Sequence, residues 1–293
     1  MHPMLNFIVV LIDGMSYGSL LFLLAIGLSI TLGLMGFVNL THTALAMIGG
    51  YFVVSLSSRM GWPFGWSVLA AVVATTAIGI ALEQSVFRLV YKRNPLAQVL
   101  LTIGVMMIIS AAVTYLWGPS LQLIHIPDAL AGRMAVGPLT FSRYRLLLLG
   151  ISIVLVVMLS LGLDRTRFGT MIRASVDNQR VAAALGIPIQ KVFMASFAIG
   201  TALAGLGGAL GVEALGLDPA FAVKYLVLTL LVVVVGGAGS VIGTFIAAMV
   251  LGVLDIATKY YIPALGSFAM YGIMVLILMV RPQGIHGIRR GAI

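Results

Sequence analysis

Cysteine is absent from the 293-residue chain, so no disulfide framework and no thiolate metal site can form within it. Charge is scarce. Only 9% of residues are charged, with 17 Lys and Arg against 8 Asp and Glu. A soluble globular protein carries roughly 25% charged residues, and a surface built from so few could not keep this chain dissolved. There is no Gly-x-x-x-x-Gly-Lys phosphate loop and no His-Glu-x-x-His pair. The four histidines, His2, His42, His125 and His286, are scattered, which argues against a His-rich metal centre. These absences exclude an ordinary cytosolic enzyme, a disordered chain, a secreted domain and a phosphate-loop ATPase.

What remains is apolar and basic. Hydrophobic residues make up 61% of the chain, and the formal net charge is +9. Mean hydropathy is +1.16 and the pI is near 10.2. In a bilayer protein such a surplus marks cytoplasmic loops rather than nucleic-acid binding. No Lys or Arg precedes the first apolar run, so a cleaved signal peptide is not expected and the first helix is expected to stay.

At about 20 apolar residues per crossing, the sequence reads as an all-α polytopic integral membrane protein. About eight or nine transmembrane helices are expected, some broken or re-entrant. The segments are Leu5–Met35, Asn39–Ser57, Trp62–Leu82, Leu96–Trp117, Tyr144–Leu163, Val192–Leu215, Phe221–Val235, Val241–Ile256 and Leu265–Val280. The loop Gly118–Arg143 holds Pro119, Pro127 and Pro138 and is expected to carry a short hairpin. Basic clusters fall at Arg88/Lys92/Arg93, at Arg165/Arg167/Arg173/Arg180/Lys191 and at Arg281/Arg289/Arg290. Even numbers of spans separate them, so all three can face the cytoplasm, with the N-terminus outside and the C-terminus inside. Arg133, Arg143 and Arg145 then lie on the outer side, against the rule.

Two glycine-broken apolar segments hint at internal duplication. Gly36-Phe37-Val38-Asn39 leads into a span with Gly49-Gly50, and Gly236-Gly237-Ala238-Gly239-Ser240 leads into one with Gly243 and Gly252. Paired interrupted helices point to a transport site, although glycine is common in membrane helices generally. Gly14-Met15-Ser16-Tyr17-Gly18 fits a nucleophile elbow. It also fits a close helix-packing face, as do Gly207/Gly211 and Gly239/Gly243. The strand-to-helix context of an elbow is missing, which favours packing.

Acids within apolar segments are costly. Glu83 lies near Arg88, and Asp255 has Lys259 four residues on, a helical ion-pair spacing. Asp13 and Glu213 have no local basic partner. Each could line a wet pathway or sit near an interface. Asn39, Thr41, His42 and Thr43 open the second segment. They could cap that helix or present its positive end to a carboxylate-bearing solute. Asp164–Lys191 is the most polar stretch. Thr170–Leu185 is expected to form one helix ending at Gly186, with Pro188 beyond it. Met171, Val181, Ala182 and Leu185 would form its apolar face, and Arg173, Asp177, Asn178 and Arg180 would stay polar. Such a helix suits docking of a soluble partner or lying among headgroups.

Arg165-Thr166-Arg167-Phe168-Gly169, Ile172-Arg173-Ala174, Asn178, Ala182–Ala184 and Leu185-Gly186-Ile187 resemble the cytoplasmic motif of branched-chain amino acid ABC transporter permeases, the LivH/LivM type. Gly27–Asn39, Asn39–Tyr51 and Val232–Gly243 resemble further segments of that family in the same order, so the resemblance covers nearly the whole chain. It implies a single permease domain, residues 1–293, with residues 164–191 as its cytoplasmic coupling loop. The chain would sit in a bacterial-type inner membrane, paired with a second permease in a hetero- or homodimer. Two ATPase subunits would bind its cytoplasmic face and hold the ATP and Mg²⁺. The chain itself would carry no cofactor and catalyse nothing. A soluble substrate-binding protein would deliver the amino acid from outside.

On the same resemblance, Arg173, Ala174, Asp177, Asn178, Arg180, Ala183 and Gly186 would couple to the ATPases. From the residues themselves, the polar helix start at Asn39, Thr41 and His42 and the unpartnered acid Glu213 are expected to line the substrate pathway, and Gly236, Gly237, Gly239 and Gly243 to form a glycine hinge or packing seam. One departure stands out. His42-Thr43-Ala44 stands where family members often have His-Gly-Glu, so the resemblance speaks to the transporter class more than to the solute. Two other classes stay open: an ion-driven secondary carrier working through Asp13 or Glu213, and an intramembrane serine hydrolase reacting at Ser16.

Overall fold

A computed structural model describes residues 3–91, 93–124, 126–136 and 139–280. Lys92, His2, His125 and the C-terminal cluster Arg281/Arg289/Arg290 lie outside the described residues. In chain order the helices are α1 (Pro3–Met35), α2 (His42–Val54), α3 (Phe64–Ser85), α4 (Pro95–Trp117), α5 (Asp128–Ala131), α6 (Arg143–Arg165), α7 (Arg167–Asp177), α8 (Gln179–Ala184), α9 (Ile189–Leu215), α10 (Phe221–Gly236), α11 (Val241–Tyr261) and α12 (Gly266–Val280). Strands β1 (Arg133–Val136) and β2 (Leu139–Ser142) pair antiparallel, Arg133 opposite Ser142. They are the hairpin expected between the fourth and fifth apolar segments.

Six helices among the described residues are long and apolar enough to cross a membrane. They correspond to α1, α3, α4, α6, α9 and α11. The shorter apolar α10 has 16 residues. The chain is therefore an all-α, multi-pass membrane protein.

α1 is the central post. Leu21, Phe22, Leu23, Leu24, Ala25 and Ile26 are all fully buried. Consecutive residues point all round a helix, so α1 is enclosed on every side. α11 runs antiparallel along it: a Cβ on Gly14 would meet Val253, and one on Gly33 would meet Gly239. α9 also lies antiparallel, with Gly207 against Leu23 and Gly200 against Gly27. α6 runs parallel, joined by Ser152 donating to Ser19 at 3.1 Å. α3 packs antiparallel on the far side of α9, with Gly79 on Thr201 and Gly205 on Thr75. By contrast α6 turns Ile153, Val154, Val157, Met158 and Leu161 outward, a face for lipid or a partner.

With no hydrophobic drive between helices in lipid, close approach supplies the cohesion. The Gly14/Gly18 pair illustrates it. Both glycines abut α11 backbone, and Ser16 lies in mid-helix, donating to the Ile12 carbonyl at 2.8 Å. That is the packing face, and the elbow geometry a serine hydrolase needs is not formed at Ser16.

Candidate functional site: a two-armed loop and a buried polar break

The polar loop between α6 and α9 forms two helices rather than the single helix expected over Thr170–Leu185. α7 stops at Asp177, and Asn178 is extended, with φ −154° and ψ 100°. Its side-chain oxygen accepts from the Arg180 and Val181 amides, both at 3.1 Å. Asn and Asp compete with helix backbone and favour caps, so Asp177-Asn178 is where the helix breaks. The expected stop does occur at Gly186, whose φ is +83°, a left-handed conformation natural to glycine.

Thr166 caps α7 by accepting from the Gly169 amide at 3.2 Å. Ile172 and Ser175 turn inward, so α7 is seated on the helix bundle. Arg173 is tied back: it donates to the Leu163 carbonyl and lies 3.6 Å from the Asp164 carboxylate. Its structural job is to fix α7 to the end of α6. Ala174 is half-buried, and Asp177 and Arg180 are exposed. On α8, Ala182 is the buried anchor, whereas Val181 is 53% exposed and Leu185 77%. Ala183 and Gly186 are exposed beside them. The apolar face read from the sequence thus divides: Ala182 holds the body, and Val181 and Leu185 face outward.

The second group sits where α1 passes into α2. Asn39, Thr41 and His42 are fully buried and Thr43 nearly so. Asn39 accepts the Thr41 amide at 3.1 Å, making a tight turn, while the Thr41 hydroxyl donates to the Thr102 carbonyl at 2.8 Å. Neither residue caps α2 through its side chain, because those groups bind the turn itself and α4. His42 packs against Gly27, where an added Cβ would lie 2.6 Å from the imidazole. Both its ring nitrogens and the Asn39 amide nitrogen are without partners among the described residues.

Glu213 is not brought to this group. It is exposed near the far end of α9. His42 and Gly200 both pack on Gly27, and Glu213 lies 13 residues beyond Gly200, about 20 Å along a helix.

The second glycine break does come near the first. Gly237 and Gly239 have φ of +90° and +86°, reversing the chain between α10 and α11. The Gly239 amide donates to the Ser29 carbonyl at 3.0 Å, and Ser29 shares a 2.8 Å hydrogen bond with Thr244. Gly236 abuts Gly243 and Thr244, and Ser240 caps α11 through the Gly243 amide at 3.0 Å. Gly33, on which Gly239 rests, is three residues before Gly36, where α1 ends. Both breaks therefore sit at one end of the bundle, the end that carries α7 and α8.

The acids also resolve. Asp13 pairs with Arg145 of α6, a partner distant in sequence. Lys259 lies 2.5 Å from Asp255, the expected pair. Glu83 is 4% exposed and accepts from Tyr91 at 3.2 Å rather than from Arg88. Burial first, and then the Glu83 carboxylate, push the Tyr91 phenol above its ordinary range. Arg88 instead donates to Gln190 at 2.6 Å. Among the described residues no group of three metal-ligating side chains occurs.

Comparison with known proteins agrees with the fold and the motifs. Residues 10–279 match the family described as branched-chain amino acid transport system / permease component. The chain is similar to the high-affinity branched-chain amino acid transport system permease protein LivH of Escherichia coli K12, 25% identical over 97% of this chain and 96% of that one. It is similar to BraD, the corresponding permease protein of Pseudomonas aeruginosa, 25% identical over 94% of each chain. A probable LivH of Methanocaldococcus jannaschii is 27% identical over 93% of this chain and 90% of its own. Among solved structures, PsaBC from Streptococcus pneumoniae in complex with Fab shares the fold, with a TM-score of 0.51 and 12% identity over 92% of this chain and 91% of that one. With 270 consecutive residues matched, the chain belongs to the permease-component family of branched-chain amino acid transport systems.

Proposed function

We propose that this chain is the membrane-spanning permease subunit of an ATP-driven importer for branched-chain or related hydrophobic amino acids. The family match over residues 10–279 carries the reading. A second permease completes the pathway, two ATPases dock on the α7–α8 end and supply ATP and Mg²⁺ chemistry, and a soluble binding protein delivers solute to the opposite end. The protein resides in a bacterial-type inner membrane. The helix directions support nine crossings, including the short α2, α10 and α12. The N-terminus is then outside and the C-terminus inside, as the basic loops require.

ATP-driven closure would push on α7 and α8 and separate the helices around α1, in alternating access. Asn39, Thr41 and His42 are closed off in the present conformation, so they meet the pathway only when α1, α2 and α9 part. The carrier alternative loses one of its two acids, because Asp13 is already paired with Arg145, and the other, Glu213, is exposed near the far end of α9, away from the buried Asn39, Thr41 and His42.

Purification from membranes should recover this chain with a second permease and two ATPases, and liposomes holding that complex should take up leucine only with ATP. Leucine uptake by the lone chain, driven by an ion gradient, would overturn the proposal. Orientation has a clean test because the chain has no cysteine. Arg93→Cys, at an exposed position in the α3–α4 connection, should react with an impermeant maleimide only in opened cells. Leu123→Cys, 63% exposed in the loop before β1, should react in intact cells. The reverse pattern refutes the orientation.

A further inference from the structure

A groove of about 880 Å³ lies between α8, the end of α1, the α3–α4 connection and the start of α9. Its lining is two-natured. Arg88, Arg180 and Lys191 supply cations, and Phe37, Phe193 and Met194 supply an apolar floor. The single carboxylate in the lining, Glu83, is buried and bonded to Tyr91. Arg88 is bonded to the neutral Gln190, and no ion pair among the described residues involves Arg88, Arg180 or Lys191. The groove is thus an unneutralised basic rim over an aromatic and thioether floor.

We propose that this groove holds an anionic phospholipid of the cytoplasmic leaflet, its phosphate among Arg88, Arg180 and Lys191 and the head of its chains over Phe193 and Met194. Charge selects an anion, and the apolar floor selects an amphiphile over a free ion. The place selects a lipid, because α3 ends and α9 begins here, at the level where a spanning helix leaves hydrocarbon for headgroups. Basic pockets on the cytoplasmic side of membrane proteins attract such headgroups at about 1 kcal/mol per Lys or Arg, or roughly fivefold in affinity. The bound lipid would bridge α8 to the helix bundle, making the stiffness of the coupling arm depend on bilayer composition. The leaflet assignment rests on the orientation given above.

Native mass spectrometry of the assembled complex, titrated with phosphatidylglycerol or phosphatidylcholine of matched chains, tests this. Phosphatidylglycerol should be retained at least about fivefold better. The exposed-residue double variant Arg88→Gln/Lys191→Gln should lower that retention by about 25-fold at unchanged melting temperature. Arg88→Lys should keep retention near wild type, which separates charge from folding. Equal retention of the two lipids overturns the proposal, as does a double variant that binds like wild type. Displacement by equimolar glycerol phosphate also overturns it, by showing a small-anion site. Loss of ATPase assembly without any lipid preference overturns it in favour of a protein occupant. A reversed cysteine-labelling pattern would refute the orientation alone and leave the lipid preference intact.

Discussion

Gly208→Leu should abolish accumulation of the folded protein. A Cβ at Gly208 would fall 1.7 Å from the Ala46 carbonyl oxygen, well inside any non-bonded approach. The obstacle is helix backbone, which cannot rotate away like a side chain. Relief requires α2 and α9 to separate, and that also parts Gly49 from Gly205 in the same seam. Overpacking a well-filled interior typically costs 1–3 kcal/mol and occasionally more. Because the whole α2–α9 seam must open to admit the side chain, about 3 kcal/mol or more is expected. That is a large share of a total stability of roughly 5–15 kcal/mol. The internal controls are Gly104→Leu and Gly150→Leu, where an added Cβ meets nothing within 4 Å. Those variants should express and melt like wild type. Fluorescence-detected size exclusion and thermal melts in detergent read all three. A monodisperse Gly208→Leu melting within a few degrees of wild type would show that α2 and α9 are not pressed backbone to backbone.

That asymmetry among glycines explains what the sequence reveals. Hydropathy locates the spans because every crossing must be apolar along its length. It does not say which span is central, since a side chain facing lipid and one facing another helix are equally apolar. α1 and α6 read alike as apolar runs, yet one is wrapped on all sides and the other lies on the surface. Glycine density separates them better. α9 carries Gly200, Gly205, Gly207, Gly208 and Gly211 and packs against α1, α2 and α3, whereas the helix of Gly104 is peripheral.

The loop is legible for the opposite reason. Its charges, Gly186 and Pro188 are local signals, so its extent and its stop can be read directly. The break at Asn178 is also written there as a capping residue, but the apolar spacing across it still suggests one continuous helix. Partners distant in sequence are not legible. Arg145 neutralises Asp13 across α6 and α1, and the Thr41 hydroxyl binds a carbonyl on α4. No spacing rule connects them. The groove beneath α8 is invisible to sequence reasoning for the same reason, as its lining comes from four separate stretches of chain.

Leu185→Asp should cut ATP-driven uptake by about tenfold or more while leaving the chain folded. Leu185 follows α8 as its C-terminal cap residue with 77% of its surface exposed, one turn after the exposed Val181. An apolar pair held outward at a charged end of the molecule has no partner within the described chain, so replacing it costs the fold little. Burying that pair against an ATPase would make it a centre of the interface. Truncating such a centre costs about 2 kcal/mol or more, and a carboxylate added there must also be desolvated. The position of α8 matters as much as its surface. Asn178→Ala removes the oxygen that accepts from Arg180 and Val181. That costs about 1 kcal/mol of cap and lets α7 and α8 run together as one straight helix, swinging Leu185 off the docking site. Asn178→Asp keeps an accepting oxygen and should restore coupling, a rescue that a general surface effect would not give. The discriminating measurement is the ratio of leucine taken up to ATP hydrolysed in liposomes, with assembly scored by co-purification. Wild-type ratios and assembly in both Leu185→Asp and Asn178→Ala would remove α8 from the coupling path. A fall in the ratio with the ATPases still bound would place α8 in transmission of the stroke, and loss of the ATPases would place it in docking.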